Sequence, residues 1–592
     1  MLEVVKQIGE ILLEKEKKEP LEILIENPDS NGTYKIVWAL EFDKDLKFQD
    51  ITEEESKAEN YKIYLYKRGI GANSPDFSPT SRITEPEKTF LKKIIKWFES
   101  HFKSHKEISE FGEILNELNK HKKEIIEKLN QLNQQSKDSK IITIKIDGKY
   151  PYEIKLFRDT FINDFFQKIT EVKKENSVCS ICGEKKDSVF ATSQLYTFFT
   201  TDKECYIAGG FNKKEAWKNF PVCKDCFLKV DFGRKFIENN LKFKFYSRNY
   251  YLIPHLILDT KEALEEINDI LSFEKKNIKS LSQNEKKKYF ADEEEILDII
   301  KDYKDIITFY FLFLKGGSTA DKDRILLLVE DVLPSRIYKV FEVKEKVENT
   351  FNIENYTFGK INQFLTEFDK FLFEVIDKIF REGKLDYKAI LKIFMKKIRQ
   401  KFVNSSKDIR ETLFLTRDAI MNIYFFKELS LINFDDINIK ERKFEVKMLR
   451  KNKKMLEEMK MEETKFDKVF EKLGGSLNTT AKQGIFLLGA LTQMLLNIQG
   501  VERENTPFWK QLKGLKMNEE DIKGLLPKVI NKLQEYGKLD KGKKELAKEI
   551  SKYLLHQEKF GLTIDEINFY FVSGMSLVDE VKEEIYKKVE NE

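Results

Sequence analysis

The sequence predicts an α+β protein of several domains: a mixed α/β N-terminal region with an embedded pair of cysteine knuckles, then a mostly helical part ending in a helix bundle. Three observations carry this. The chain has 592 residues, more than one hydrophobic core usually organises. Strand-like runs are confined to its first 340 residues, and helical periodicity dominates beyond Pro334. Two C-x-x-C pairs interrupt the mixed region.

The elements are read in order. Leu2–Glu16 alternates apolar and charged residues at helical spacing. Leu21–Glu26, Tyr34–Phe42 and Tyr61–Tyr66 are rich in Ile, Val, Tyr and Trp and read as strands. Lys67–Arg82, KRGIGANSPDFSPTSR, gathers Gly, Ser, Asn and Pro between basic ends, the composition of an exposed loop. Helices follow from Glu85 to Gln135 with a break near Ser104, and IITIKIDGKYPYEIKL at Ile141–Leu156 centres Asp-Gly as a hairpin would. A helix then leads to the cysteines.

Past the cysteines, Lys242–Leu258 reads as extended, Glu262–Tyr303 as charged helices, and Ile307–Leu314 with Ile325–Val329 as buried strands of a mixed sheet. The helical stretch after Pro334 breaks at Glu382–Gly383, Asn404–Ser406 and Asn433–Asn438. A basic linker, Lys440–Lys454, precedes helices punctuated by Gly474–Gly475, Gly500 and Gly537. The expected domains are residues 1–340, with a metal module at about 176–230, then 341–454 and 455–592.

Composition narrows the function classes. Hydrophobic residues make up 41% of the chain, including 48 Phe and 22 Tyr, which excludes a mainly disordered protein. Charge is abundant but balanced, 105 basic against 101 acidic, so a polycation is disfavoured and any nucleic-acid contact has to come from local basic patches. The first eighteen residues lack a signal-peptide core, and the apolar runs Ile307–Leu314 and Ile485–Leu496 are shorter than a bilayer span. The expectation is a cytoplasmic protein without a membrane role.

Cys179-Ser-Ile-Cys182 and Cys223-Lys-Asp-Cys226 supply four thiolates, the tetrahedral shell that a structural zinc ion prefers, and Gly183 allows the tight knuckle turn. Disulfides do not suit a chain without a secretory signal, and the spacing is not that of an iron–sulfur protein. Cys205 is left over and reads as a small buried residue. The segment between the knuckles is an insertion clamped at its base by the metal. It carries Phe198-Phe-Thr-Thr-Asp-Lys203 and Gly209-Gly-Phe-Asn-Lys-Lys214, whose Thr200, Thr201, Lys203, Asn212, Lys213 and Lys214 have the chemistry of loops that touch phosphates and bases. The same mixture suits a solvated loop packed on the metal module. Lys67, Arg68, Asn73, Ser74 and Arg82 form a second candidate set, with cations for phosphates and polar groups for base edges. An ordinary surface turn has the same composition.

Catalytic patterns do not appear. There is no phosphate-binding G-x-x-x-x-G-K-[ST], no H-E-x-x-H and no G-x-S-x-G, and Gly474-Gly475 is followed by Ser-Leu where a cyclase motif would have Asp-Asp. His101, His105, His121, His255 and His556 adjoin no Asp and read as surface or partly buried helix positions. The expectation is a non-enzyme.

YLYKRG with the Ser-Pro-Thr loop at Tyr64–Thr80, the knuckles around FFTTDK and AGGF, NFPVCKDCF at Asn219–Phe227, YLIP at Tyr251–Pro254 and VLPSR at Val332–Arg336 together resemble the Cas-eight-b large subunit of the type I-B CRISPR Cascade. The resemblance implies an RNA-guided complex in which this subunit sits near the 5′ end of the guide, inspects the protospacer-adjacent motif and steadies the opened DNA. Its implied partners are guide RNA, target DNA, the backbone, guide-processing and small subunits, and a separate helicase-nuclease that does the chemistry. It also implies a C-terminal bundle like the small subunit, which can be made separately from an internal start; Met461, with Glu457-Glu458 encodable by a ribosome-binding GAGGAG, is the candidate. Two alternatives stand beside it: a type III large-subunit relative without cyclase activity, and a stand-alone zinc-dependent nucleic-acid enzyme.

Overall fold

Helix α1, Leu2–Glu16, buries Val4, Val5, Ile8, Ile11 and Leu12 along one stripe and stops at Lys17, whose left-handed backbone returns N–H groups to the last carbonyls. The computed structural model describes the chain apart from residues 20, 30–31, 70–73, 105–107, 136–137, 197, 200–207, 209, 211, 246–247, 258–264, 266–267, 269–306, 316–323, 368, 405–408, 435–464, 504–505, 556–558 and 588–592. It divides into two compact units: Met1–Lys242 with Tyr251–Asn277 and Leu314–Ile325, and Phe243–Tyr250 with Ile278–Phe313 and Leu326–Glu592.

The first unit is built on a four-stranded sheet of order β2-β1-β4-β3, with β1 Ile36–Phe42, β2 Phe48–Glu55, β3 Ser81–Arg82 and β4 Lys140–Ile146. β1 pairs parallel to β4 and antiparallel to β2. The two central strands are apolar runs buried on both faces, whereas β2, FQDITEEE, is an edge strand that buries only Ile51. That edge position explains why its composition gave no strand signal. Around the sheet lie α2 Pro86–Thr89, a π-helical turn Phe90–Ile95, α3 Lys96–Ser104, α4 Ser109–Lys120, α5 Lys122–Gln135 and α6 Lys155–Ile169.

Several expected elements take another form. Leu21–Glu26 is a run of turns, and Tyr61–Tyr66 falls in a 3-10 turn, Ala58–Tyr64, and its exit. In both places consecutive apolar residues are buried, among them Ile63, Tyr64, Leu65 and Tyr66, which a turn achieves and a strand with one wet face cannot. The Asp147-Gly148 turn forms with both residues at positive φ, but its return arm ends at the bridge between Ile146 and Lys149. Pro151 has no N–H to extend a ladder and opens a 3-10 turn instead. The later part of the Lys67–Arg82 segment is not an exposed loop: Asp76, Phe77, Ser78, Thr80 and Ser81 are buried, and Ser81 and Arg82 pair with β4.

A second sheet has the order β10-β9-β8-β7, from β7 Lys242–Phe245, β8 Arg248–Leu256, β9 Ile307–Lys315 and β10 Arg324–Val332. β9 is buried as its composition predicts, but β10 is an outer strand with Ile325 45% exposed. The Glu262–Tyr303 helices and the Lys440–Lys454 run lie outside the described residues, except for Glu265 and Asn268.

Beyond β10 the second unit is helical, running through Pro334–Phe351, Gly359–Leu365, Asp369–Arg381, Tyr387–Asn404 and Arg410–Glu428 to a bundle around Thr480–Arg503. This helix is buried on nearly all sides by Lys541–Leu555 and Ile564–Ser576. Among the described residues it alone is long and apolar enough to cross a membrane, but 78% of that window lies inside the fold. The run Ile485–Leu496 is thus part of a longer helix than expected. Gly474, Gly475 and Gly537 have positive φ at breaks, whereas Gly500 lies within the helix and is no stop. A Cβ on Gly489 would lie 1.9 Å from the Phe571 carbonyl oxygen, and one on Gly574 would lie 1.8 Å from that of Phe486, so glycine sets the closest approach of these helices.

Candidate metal centre

The first cysteine pair sits in the turn of a two-stranded antiparallel ribbon, β5 Val172–Val178 and β6 Lys185–Ala191. Gly183, at φ 70°, turns the chain while its N–H donates to the Cys179 carbonyl at 3.0 Å, and the Cys179 N–H donates to the Glu184 carbonyl at 3.0 Å. The second pair opens helix α7, Lys224–Asn240, for which Cys223 is the N-cap residue. A β-ribbon turn and a helix N-terminus are thus placed face to face. Ser180 fastens them by donating from both N–H and Oγ to the Pro221 carbonyl, at 2.8 and 2.9 Å. The bridge between Phe190 and Val222 closes the intervening segment at its base.

The four sulfur atoms all lie within 4.8 Å of one another. A zinc–thiolate tetrahedron with bonds of about 2.3 Å has edges of about 3.8 Å, so the donor set fits this ion with little movement. Cys179, Cys223 and Cys226 are buried and Cys182 is half-buried, and none forms a disulfide. The Cys223 N–H donates to Cys179 Sγ at 3.4 Å, an orienting bond that a thiolate strengthens. Donation from Cys223 and Cys226 holds the Cys179 thiol far below its usual range, and the same hydrogen bonds push Cys223 up to about 11 and Cys226 higher still. Crowded sulfurs without a cation ionise one at a time; a divalent metal would stabilise all four as thiolates. Four sulfur donors close a tetrahedral shell and leave no position for a reacting water.

The centre rests on an aromatic floor. Phe166, Phe190 and Phe227 are mutually packed with ring centroids 5.7–5.8 Å apart. α7 also lies against α1, where a Cβ on Gly233 would sit 2.1 Å from the Val5 carbonyl oxygen and one on Gly9 would sit 1.9 Å from that of Lys229. Beyond this crossing, the buried Asp231 accepts from Arg234 and pairs with Lys235, and Arg234 also reaches Glu238 at 2.8 Å.

The nucleic-acid candidates are distributed unevenly. Lys67 pairs with Glu26 at 3.0 Å and lies over the Phe165 ring. Arg82 donates to the Pro28 carbonyl at 2.7 Å and stacks against Tyr34 and Tyr66, so both cations are engaged inside the fold. Arg68 is exposed, and the Ser74 carbonyl accepts from Lys93 at 2.5 Å. Asn212, Lys213 and Lys214 are exposed at the start of a 3-10 turn, Lys213–Asn219, which Asn212 caps by accepting from the Lys214 N–H. Asn73, Thr200, Thr201, Lys203, Cys205 and Met461 lie outside the described residues.

One polar pair escaped the sequence reading. His101 is buried, stacked on Trp97 with centroids 3.9 Å apart; it bonds the Trp97 carbonyl through Nδ1 at 2.7 Å and Asp164 through Nε2 at 2.5 Å. It ties α3 to α6 and is not a surface position. With the partners 63 positions apart in the chain, no local spacing announces them.

Comparison with known families gives matches in chain order along almost the whole sequence. The N-terminal, central and C-terminal domains of the CRISPR-associated protein TM1802 (cas_TM1802) match residues 1–163, 176–332 and 356–589. The chain belongs to the TM1802 family. It is therefore a CRISPR-associated protein, as the resemblance in its motifs implied. The four clustered cysteines fall within the TM1802 central domain. No curated protein matches the chain.

Proposed function

We propose that this TM1802-family chain is the large subunit of an RNA-guided type I-B Cascade, which inspects the protospacer-adjacent motif, holds opened target DNA and helps recruit a separate helicase-nuclease, without catalytic chemistry of its own. The observation that carries the reading is the match of all three TM1802 domains. The sulfur cluster supports it from another side: a closed four-cysteine shell braces a module without activating water, so the metal is one structural zinc ion held by Cys179, Cys182, Cys223 and Cys226. Guide pairing reads the target sequence and the protein supplies cationic surface and a short motif reader. Arg68 and the Asn212–Lys214 turn are exposed for that role. Its setting is the cytoplasm, among the other Cascade subunits.

The test is to co-express the chain with its neighbouring genes, purify through a tag on it, and measure binding of matched duplex DNA. Copurifying guide RNA, with binding lost when only the flanking motif is changed, is the expected result. A chain that purifies without RNA and binds no matched target in the presence of its neighbours would overturn the reading.

A further inference from the structure

The 3-10 turn Lys213–Asn219 packs on both strands of the β5–β6 ribbon, and it brings Trp217 to the side of the ribbon where Lys174 emerges. The Lys174 and Lys218 ammonium groups each lie 5.8 Å from the Trp217 ring centroid. Glu215 sits among them: hydrogen bonding from Lys218, the nearby charges of Lys218 and Lys174, and the indole N–H hold its carboxylate below the usual range. Both ammonium groups lie over the indole ring, which remains partly exposed. The two elements, VKKENSV and KKEAWKN, carry five lysines against two glutamates. Among the described residues β5 pairs only with β6, and its residues from Lys173 to Asn176 are exposed.

Lysines on an outer strand also discourage edge-to-edge pairing, and that alone would account for Lys173 and Lys174. It does not account for a partly exposed aromatic ring with two ammonium groups over it, on elements with excess positive charge. A ring of this kind offers a π-face to any unstacked base, and ammonium groups beside it reach the flanking phosphates; a duplex, with its bases stacked away, could use only the charges.

We propose that Trp217, flanked by Lys174 and Lys218 on the zinc-module ribbon, is a stacking platform for single-stranded nucleic acid. This deepens the nucleic-acid role given above and rests on it for its place in the assembly. The platform takes the chemistry shared by single-stranded DNA and RNA, a phosphate chain with free base faces.

The test uses the full chain and fluorescence anisotropy with labelled oligo(dT) and oligo(U), the two arms showing which strand is preferred. W217A is expected to weaken binding roughly tenfold, the worth of one stacked base, while W217F keeps most of it. K174A/K218A is expected to reduce the slope of log affinity against log salt by about 1.4, two contacts at about 0.7 each. Because Trp217 also packs on the ribbon, zinc content and circular dichroism are measured for each variant; should W217A misfold, W217F and the lysine pair carry the test. Unchanged affinity and salt slope in the folded variants, or tighter binding of duplex than of either single strand, would overturn the proposal. Motif-dependent target binding by the assembly that all these variants leave intact would sink the platform and spare the Cascade reading. A Trp217-dependent oligonucleotide affinity in a chain that assembles with no guide would do the reverse.

Discussion

Replacing Cys179 by Ser tests whether a metal holds the ribbon turn against the helix. Cys179 is fully buried, its sulfur lies within 4.8 Å of the other three, and it accepts from the Cys223 N–H. A hydroxyl in its place is a much weaker zinc ligand and leaves three thiolates to balance the ion. Binding of zinc to small structural sites is worth about 10–16 kcal/mol. A whole domain is stable by only about 5–15 kcal/mol, so losing the metal removes a term as large as the module's own stability. The remaining links at this junction are the Ser180 bonds to Pro221, the Phe190–Val222 bridge and the phenylalanine floor. We expect the module to open locally between Cys179 and Cys226 while the α/β sheet stays folded. Elemental analysis should give one zinc per chain for the wild type and almost none for the variant, and brief trypsin treatment should cut the variant among the lysines of residues 185–218. A C179S protein that keeps a full equivalent of zinc and resists trypsin like the wild type would refute the assignment of Cys179 as a ligand.

Three further outcomes follow from packing and charge. Burial raises the Asp231 carboxyl, but Lys235 and Arg234 more than offset this and hold it below its usual range. Its contribution to stability is therefore complete above the unfolded pKa of about 3.9 and fades as pH falls through the lower folded value. Asp231→Asn should cost about 1–3 kcal/mol at neutral pH, because Arg234 keeps Glu238 but loses the second carboxylate it faces, and acid titration of unfolding should show a shallower loss below about pH 4 than in the wild type. Gly489→Ala forces a methyl group into the Phe571 carbonyl and should lower stability by at least about 1–3 kcal/mol in denaturant unfolding, whereas a Gly537→Asn change at a surface break should be nearly neutral. Arg82→Ala removes two carbonyl bonds and two ring contacts; thermal unfolding should show a loss of about 1–3 kcal/mol, with oligonucleotide affinity unchanged.

The sequence alone was enough for whatever is local or chemical in origin. The stripe of α1, the strand at Tyr34–Phe42, the Asp147-Gly148 turn and the two knuckles each depend on residues a few positions apart, and the glycine after Cys182 adopts the positive φ that its place in the knuckle requires. Tertiary structure decided what depends on neighbours distant in the chain. Tyr61–Tyr66 has the composition of a strand, yet it coils, and its four last side chains are all buried; FQDITEEE has almost no apolar signal, yet it is a strand because β1 offers an open edge. Arg82 and Lys67 look like phosphate ligands until Tyr34, Tyr66 and Glu26 are seen to hold them. His101 and Asp164, and Trp217 with Lys174, meet only after folding. Ligand type and turn chemistry are written in neighbouring residues, whereas burial and pairing are properties of a surface that exists only once the chain has closed on itself.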